Sequence, residues 1–122
     1  MNYPKVYIDS VSMDENNYIN YDRKWNCLKL IEHSKQFPVF DMPLICVDLS
    51  NFTWSDKMDI STFIFHMKRI ENTNLDYPII LDDRGYIADG WHRVCKAIIK
   101  GDTTIKAVRL ETMPEPDEIY KK

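Results

Sequence analysis

Residues 89–93 read Asp-Gly-Trp-His-Arg and combine side-chain types that bind or transfer phosphate. The apolar spacing after Gly90 predicts a helix over residues 91–100, which places His92 and Arg93 in its first turn. Cations are disfavoured there, because the helix dipole is positive at its N-terminus. The pattern is explained if an anion binds the helix start, where it is met by backbone N–H groups, an imidazole and a guanidinium.

Each residue of this segment has a functional and a structural interpretation. In the functional one, Gly90 lets a ligand approach the backbone, and Lys96 supports the site from the same helix face as His92. His92 is the candidate acid/base, Asp89 a second candidate catalytic residue that orients it or helps hold a metal ion, and Arg93 stabilises charge on a transferred group. In the structural one, Asp89 is a helix cap, Gly90 a turn residue and Arg93 the partner of a surface carboxylate.

Carboxylates outside the segment are the candidate metal ligands. Asp82 and Asp83 could hold Mg²⁺ together with a nucleotide, since that ion needs only one or two carboxylates from the protein. The alternative is that both are turn residues. In an enzyme, Asp48, Asp82 or Asp83 should converge on His92, whereas a binding protein does not require this.

Three cysteines, Cys27, Cys46 and Cys95, are scattered along the chain without a paired spacing. An odd count with this distribution argues against a disulfide framework and against a structural zinc site. Because each lies in an apolar stretch, all three are predicted to be buried free thiols.

Composition predicts one soluble domain. The chain has 122 residues, of which 44% are hydrophobic and 29% charged. A net charge of −3 disfavours non-specific binding to duplex DNA but allows a local basic pocket. No apolar run is long enough for a membrane helix, and the first residues lack a secretion signal, so the expected location is cytoplasmic.

Periodicity and turn signals predict the elements that position the segment. In order, they are a short strand at 6–8, a helix over 21–34, a buried strand over 43–49, a helix over 56–71, a hairpin formed by 77–81 and 86–88, the helix over 91–100, and a strand over 104–110. The apolar face of each later helix is predicted to point inward: Ile60, Phe63, Ile64, Met67 and Ile70 in one, and Trp91, Val94, Cys95, Ile98 and Ile99 in the other. Residues 113–118 are predicted to be an exposed acidic tail.

The stretch over residues 78–110 resembles the core of the ParB/sulfiredoxin superfamily. Its members have a hairpin, a loop of the form (Asp/Glu)-Gly-x-(His/Arg)-Arg, a helix with a central alanine, a glycine and a final strand. In this chain, Ala97 matches the central alanine and Gly101 matches the glycine. The resemblance implies a single α/β domain over residues 1–122, with a small mixed sheet and three main helices. Within it, 1–39 would be an N-terminal extension with a helix, 40–110 the core and 111–122 the acidic tail.

In that superfamily the loop and the helix start bind nucleotide phosphates. ParB proteins use CTP, sulfiredoxins use ATP, and relatives include a free-serine kinase and putative nucleases. The resemblance therefore implies binding of ATP or CTP with Mg²⁺, and, in an enzyme, phosphoryl transfer, NTP hydrolysis or nuclease activity. The predicted binding residues are Gly90, Trp91, His92, Arg93 and Lys96.

Two departures from the family pattern limit what is carried over. Sulfiredoxins have a nucleophilic cysteine where this chain has Trp91, so sulfiredoxin chemistry is not expected. ParB partition proteins continue into DNA-binding and dimerisation domains that this sequence does not contain. The competing hypothesis is a phage or plasmid accessory protein that acts without catalysis by binding a host protein or nucleic acid.

Overall fold

The computed structural model describes residues 17–50, 54 and 58–120, so the strand predicted at 6–8 lies outside the described residues. The helices and strands, in chain order, are β1 (Asn17–Asn20), β2 (Arg23–Asn26), α1 (Cys27–Ser34), β3 (Val39–Pro43), α2 (Ile60–Asn72), β4 (Ile79–Leu81), β5 (Ile87–Asp89), α3 (Trp91–Lys100), β6 (Thr104–Arg109) and β7 (Glu118–Ile119). The described residues thus form a mixed α/β structure with three α-helices and two small sheets.

The larger sheet has the strand order β3-β6-β4-β5. β4 and β6 are parallel, and the β3/β6 and β4/β5 pairs are antiparallel. The predicted hairpin, the helix over 91–100 with its stop at Gly101, and the final strand are all confirmed.

Two hydrophobic clusters cover the two faces of this sheet. On one face, Val94 and Ala97 of α3 pack against Ile79 and Leu81. On the other face, Ile80 packs in a second cluster that contains Leu30 of α1. Because all three residues of β4 are buried, this strand lies at the centre of the core, and its antiparallel partner β5 leads through Gly90 to α3.

The predicted helix over 21–34 is wrong in its first half. β1 and β2 form an antiparallel hairpin in which Tyr18 lies opposite Trp25, with ring centroids 5.9 Å apart. Cross-strand aromatic pairs stabilise strands, and this pairing outweighs the local helix signals at Asn20 and Asp22. α1 begins later, after Asn26, whose side chain accepts a hydrogen bond from the backbone N–H of Leu28.

The predicted strand over 43–49 is also wrong. β3 ends at Pro43 and is followed by one turn of 3-10 helix over Leu44–Cys46. The backbone N–H of Leu44 donates to Thr103 O, which fixes this turn beside the start of β6. Ile45 is 94% exposed, so the apolar run does not continue into the core.

Helix α2 exists, but its predicted orientation is wrong. It begins after Asp59, whose side chain caps the N–H of Thr62, and the predicted start of the helix near residue 56 lies outside the described residues. Ile60, Phe63 and Ile64 are exposed, and Ile70 is the buried residue of the predicted face. Ile98 and Ile99 of α3 were likewise predicted to point inward, but they point to solvent.

The C-terminal segment is exposed, as predicted, but it is bound to the N-terminal hairpin. β7 pairs with β2, and the indole N–H of Trp25 donates to Pro114 O at 2.8 Å. The carboxylate of Asp117 accepts from the backbone N–H of Asn26 at 2.7 Å. The second sheet, with the order β1-β2-β7, therefore joins residues from both ends of the chain.

The three free thiols differ in exposure. Cys27 is buried as predicted, Cys95 is half-buried, and Cys46 is exposed, which corrects the prediction for that residue. Burial and the charge of Asp89 raise the pKa of Cys27 to about 12, so its thiol remains protonated. Among the described residues, no helix has both the length and the apolar content needed to span a membrane.

Candidate functional site at the junction of β5 and α3

Gly90 joins β5 to α3 in a left-handed backbone conformation, with φ of 113°. A Cβ atom at this position would lie 2.6 Å from Ile79 Cγ2 in the core. The glycine is therefore required by packing between the loop and β4. As the residue before α3, it has no side chain to accept from the N–H groups of the first turn, and that turn contains no acidic residue.

Arg93 already has an internal ionic partner. Its Nη2 donates to Asp89 Oδ2 at 3.0 Å, and its Nη1 donates to Pro78 O at 2.9 Å. The side chains of Arg93 and Asp89 are only 14% and 13% exposed. In the described structure, the anion beside the start of α3 is the carboxylate of Asp89. This ion pair agrees with the structural interpretation in that Arg93 bonds a carboxylate, but the carboxylate is mostly buried and not on the surface.

Lys96 is engaged at the other helix. Its Nζ donates to the carbonyl oxygens of Glu71 and Thr73 at 3.0 and 2.8 Å. These carbonyls lie at the C-terminal end of α2, where a cation stabilises the helix dipole. The ammonium of Lys96 therefore links α3 to α2.

His92 forms a cluster with His66 and Trp54 that spacing did not predict. His92 Nε2 and His66 Nδ1 are 2.8 Å apart, so one imidazole donates a hydrogen bond to the other. The Trp54 ring stacks on both, with centroids 4.2 Å from His66 and 4.8 Å from His92. The two histidines are far apart in sequence and on different helices, so no local pattern indicates the cluster.

Burial is the main cause of a low His92 pKa. Together with the charges of Arg69, His66 and Arg93, it lowers the pKa of His92 to about 4. Burial and Arg69 lower the pKa of His66 as well. At neutral pH both imidazoles are uncharged, so His92 can exchange hydrogen bonds with a ligand but cannot offer it a positive charge.

We expect the protein to lose stability as the pH falls from 6.5, the ordinary pKa of histidine, to about 4, the folded-state pKa of His92. In this window the unfolded state binds more protons, so the free energy of unfolding falls with pH. We expect His92 to account for about 1–2 kcal/mol, less than the full shift because the imidazole is partly exposed. Urea unfolding at about pH 7 and about pH 4.5 measures the loss. The His92→Gln variant should lose less; an equal loss in both proteins would contradict this origin.

The three side chains that follow Gly90 point to different surroundings, because successive residues of an α-helix are rotated by about 100°. Trp91 lines a cavity of about 780 Å³, together with Arg84 and Tyr86 of the β4–β5 hairpin. His92 contacts α2, and Arg93 contacts the residues before β4. The predicted binding residues are thus neighbours in sequence but do not converge on one pocket.

Comparison with known proteins gives no relative from which the role of this site could be inferred. No protein-family model, no curated protein and no solved structure matches the chain. The resemblance of residues 78–110 to the ParB/sulfiredoxin superfamily therefore stays a prediction, and its support must come from the arrangement of elements and side chains.

Asp82 is a turn residue whose oxygens are occupied. It is fully buried, and its Oδ1 accepts from the backbone N–H groups of Arg84 and Tyr86, each at 2.9 Å. Its Oδ2 accepts from the Tyr18 hydroxyl at 2.7 Å, and burial together with this carboxylate raises the pKa of Tyr18. These contacts leave Asp82 a poor ligand for Mg²⁺.

The other candidate carboxylates also lie apart from His92. Asp83 is exposed, with its backbone oxygen accepting from Arg109, and the Asp48 carboxylate accepts from Ser50. In the described ranges, no group of three His, Cys, Asp or Glu side chains could hold a metal ion. Within those ranges the hydrogen-bond partner of His92 is His66. Among the described residues, the carboxylates that an enzyme was expected to bring to His92 are thus not in contact with it.

Proposed function

We propose that this chain binds a nucleotide or another phosphate ligand at the start of α3, and that it is a member of the ParB/sulfiredoxin-like fold. The order of β3, α2, the β4–β5 hairpin, α3 and β6 supports the fold assignment, as does the parallel β4/β6 pair. The observation that carries the ligand is the Asp89–Arg93 ion pair beside a first helical turn without a side-chain cap.

In the proposed binding step, the ligand phosphate replaces the Asp89 carboxylate as the anion bonded to Arg93. A phosphate offers more acceptor oxygens than a carboxylate, so it can bond the guanidinium and the N–H groups of the first turn together. Asp89 opposes this step, because its charge repels the ligand and its oxygen occupies Nη2 of Arg93. The ion pair would therefore set the affinity of the site.

This exchange predicts opposite effects for the two members of the pair. In calorimetric titrations with ATP, CTP, GTP and UTP, with and without Mg²⁺, Arg93→Ala should weaken binding by about tenfold or more, because a charge-assisted bond is lost. Asp89→Asn should tighten binding by about three- to tenfold, because the competing charge is removed. Both variants lose the same ion pair, so a purely structural role cannot produce changes of opposite sign.

Lys100→Ala is the matched control, since it removes a positive charge from the exposed far end of the same helix. Its affinity should change by less than about twofold at moderate salt. If no nucleotide binds the wild-type protein, or if Arg93→Ala and Asp89→Asn change the affinity in the same direction, the proposed site is wrong.

We further propose that binding occurs without turnover, as expected for an accessory protein that acts on a host protein or nucleic acid. The supporting observation is that, within the described ranges, the hydrogen-bond partner of His92 is another uncharged imidazole. Any Mg²⁺ would arrive with the nucleotide phosphates, because Asp82 is engaged in its turn. Release of phosphate from an NTP, or cleavage of DNA, that is lost in His92→Gln would contradict this proposal and indicate an NTPase, phosphotransferase or nuclease.

A further inference from the structure

The tips of the two hairpins enclose the cavity that Trp91 lines. The β1–β2 hairpin contributes Tyr18 and Tyr21, and the β4–β5 hairpin contributes Arg84 and Tyr86, around a volume of about 780 Å³. Two contacts hold the hairpins together: the bond from the Tyr18 hydroxyl to Asp82, and the Arg84 guanidinium, which lies 5.9 Å from the centroid of the Tyr21 ring. These two contacts therefore join the two hairpins that line the cavity.

Tyr21 occupies an unfavourable backbone position. Asn20 pairs with Arg23, so Tyr21 is the first residue of a two-residue turn, and its φ is 57°. Glycine or asparagine is preferred at such a position, because other side chains are strained there. The ring is 82% exposed, so packing among the described residues does not compensate the strain. Strain at an exposed side chain is typical of a residue kept for binding.

The rim of the cavity also carries a cationic side chain, that of Arg84. Arg84 is exposed, and among the described residues its guanidinium contacts the Tyr21 ring but no carboxylate. Tyr86, two residues later, is 63% exposed. The opening, whose inner wall includes the Trp91 ring, is thus surrounded by two exposed aromatic rings and a guanidinium that has no carboxylate partner within the described ranges.

We infer that this cavity binds the planar base of a mononucleotide, with Tyr21 and Tyr86 contacting the ring and Arg84 contacting a negatively charged group. Aromatic side chains stack on any base, and a guanidinium adds charge recognition of a phosphate. Trp91 belongs both to the cavity wall and to the first turn of α3, so the cavity adjoins the start of that helix. The choice of a nucleotide as the ligand rests on the proposed function. The site for a planar ring, here called the ring site, rests on the cavity itself.

Tyr21→Asn separates binding from folding, because asparagine tolerates a positive φ but has no ring. We expect its melting temperature to equal or exceed that of the wild type. Its affinity for AMP, CMP, GMP or UMP should fall by about fivefold or more, the effect typical of a lost stacking contact. Arg84→Gln should weaken binding of the nucleotide more than binding of the matching nucleoside, and Phe63→Ala controls for loss of an exposed aromatic ring that does not line the cavity.

Titrations with mononucleotides, nucleosides and inorganic phosphate distinguish this inference from the proposed function. If nucleotide binding depends on Arg93 but is unchanged in Tyr21→Asn and Arg84→Gln, the ring site is wrong and the phosphate site stands. If nucleosides bind as tightly as nucleotides and both depend on Tyr21, the ring contact is supported, whereas the phosphate site and the Arg84 contact are both wrong. If none of the three probes binds, both are overturned.

Discussion

Replacing Gly90 with alanine will lower the free energy of unfolding by about 3 kcal/mol or more. The added Cβ would lie 2.6 Å from Ile79 Cγ2 and 2.9 Å from Ile79 Cβ, and Ile79 is fully buried at the centre of the sheet. The residue also has a φ of 113°, which an L-amino acid rarely adopts. The clash and the backbone strain therefore add, and urea denaturation of both proteins measures their sum.

Two other glycines provide matched controls for this substitution. Gly85 and Gly101 have φ values of 92° and 90°, but a Cβ at either position would meet no atom within 4 Å. Gly85→Ala and Gly101→Ala should therefore cost only the backbone strain, about 1 kcal/mol each. If Gly90→Ala costs no more than these two, the close approach of the loop to β4 is not what requires the glycine.

Replacing Asp82 with alanine should destabilise the fold by about 3 kcal/mol, because three hydrogen bonds end on one buried carboxylate. The loss leaves two backbone N–H groups in the turn and the Tyr18 hydroxyl without their acceptor. Asp82→Asn keeps an acceptor oxygen for the two N–H groups, so we expect a loss of only about 1 kcal/mol. Thermal and urea unfolding of both variants test this difference.

Asp83→Ala is the neighbouring control, since Asp83 is exposed and should contribute less than about 0.5 kcal/mol. Tyr18→Phe should lose about 1 kcal/mol, because it removes one of the three bonds. Addition of Mg²⁺ or a chelator to the wild-type protein without nucleotide should leave the melting temperature unchanged. A stabilisation by Mg²⁺ that disappears in Asp82→Asn would instead assign this carboxylate to a metal site.

Elements specified by local signals were predictable. Gly101 ends α3 in the left-handed conformation typical of a helix C-terminus, and the apolar spacing before it is helical. The Asp89–Arg93 ion pair was not predicted, although residues four apart at the start of a helix are neighbours. The same spacing fits a ligand site and an internal pair, so the sequence could not decide between them.

Features that depend on contacts between distant residues were not predictable. The stack of Tyr18 on Trp25 converts a predicted helix into a hairpin, and no local rule weighs it against helix propensity. The periodicity of α2 indicates a helix but does not say which face meets α3, and Ile60 and Phe63 point outward. His66 and His92 meet only because α2 packs on α3.

The pairing of β7 with β2 has a consequence for the order in which the chain acquires structure. Asn26 and Asp117 are bonded across 91 positions of sequence, so the second sheet cannot close before the residues of β7 have emerged from the ribosome. Until then β1 and β2 form an isolated two-stranded ribbon, which is marginal in water, and Trp25 lacks the acceptor at Pro114. Closing so long a loop is slow compared with forming the β4–β5 hairpin. The walls of the cavity that come from the N-terminal hairpin therefore become fixed later than those that come from the β4–β5 hairpin.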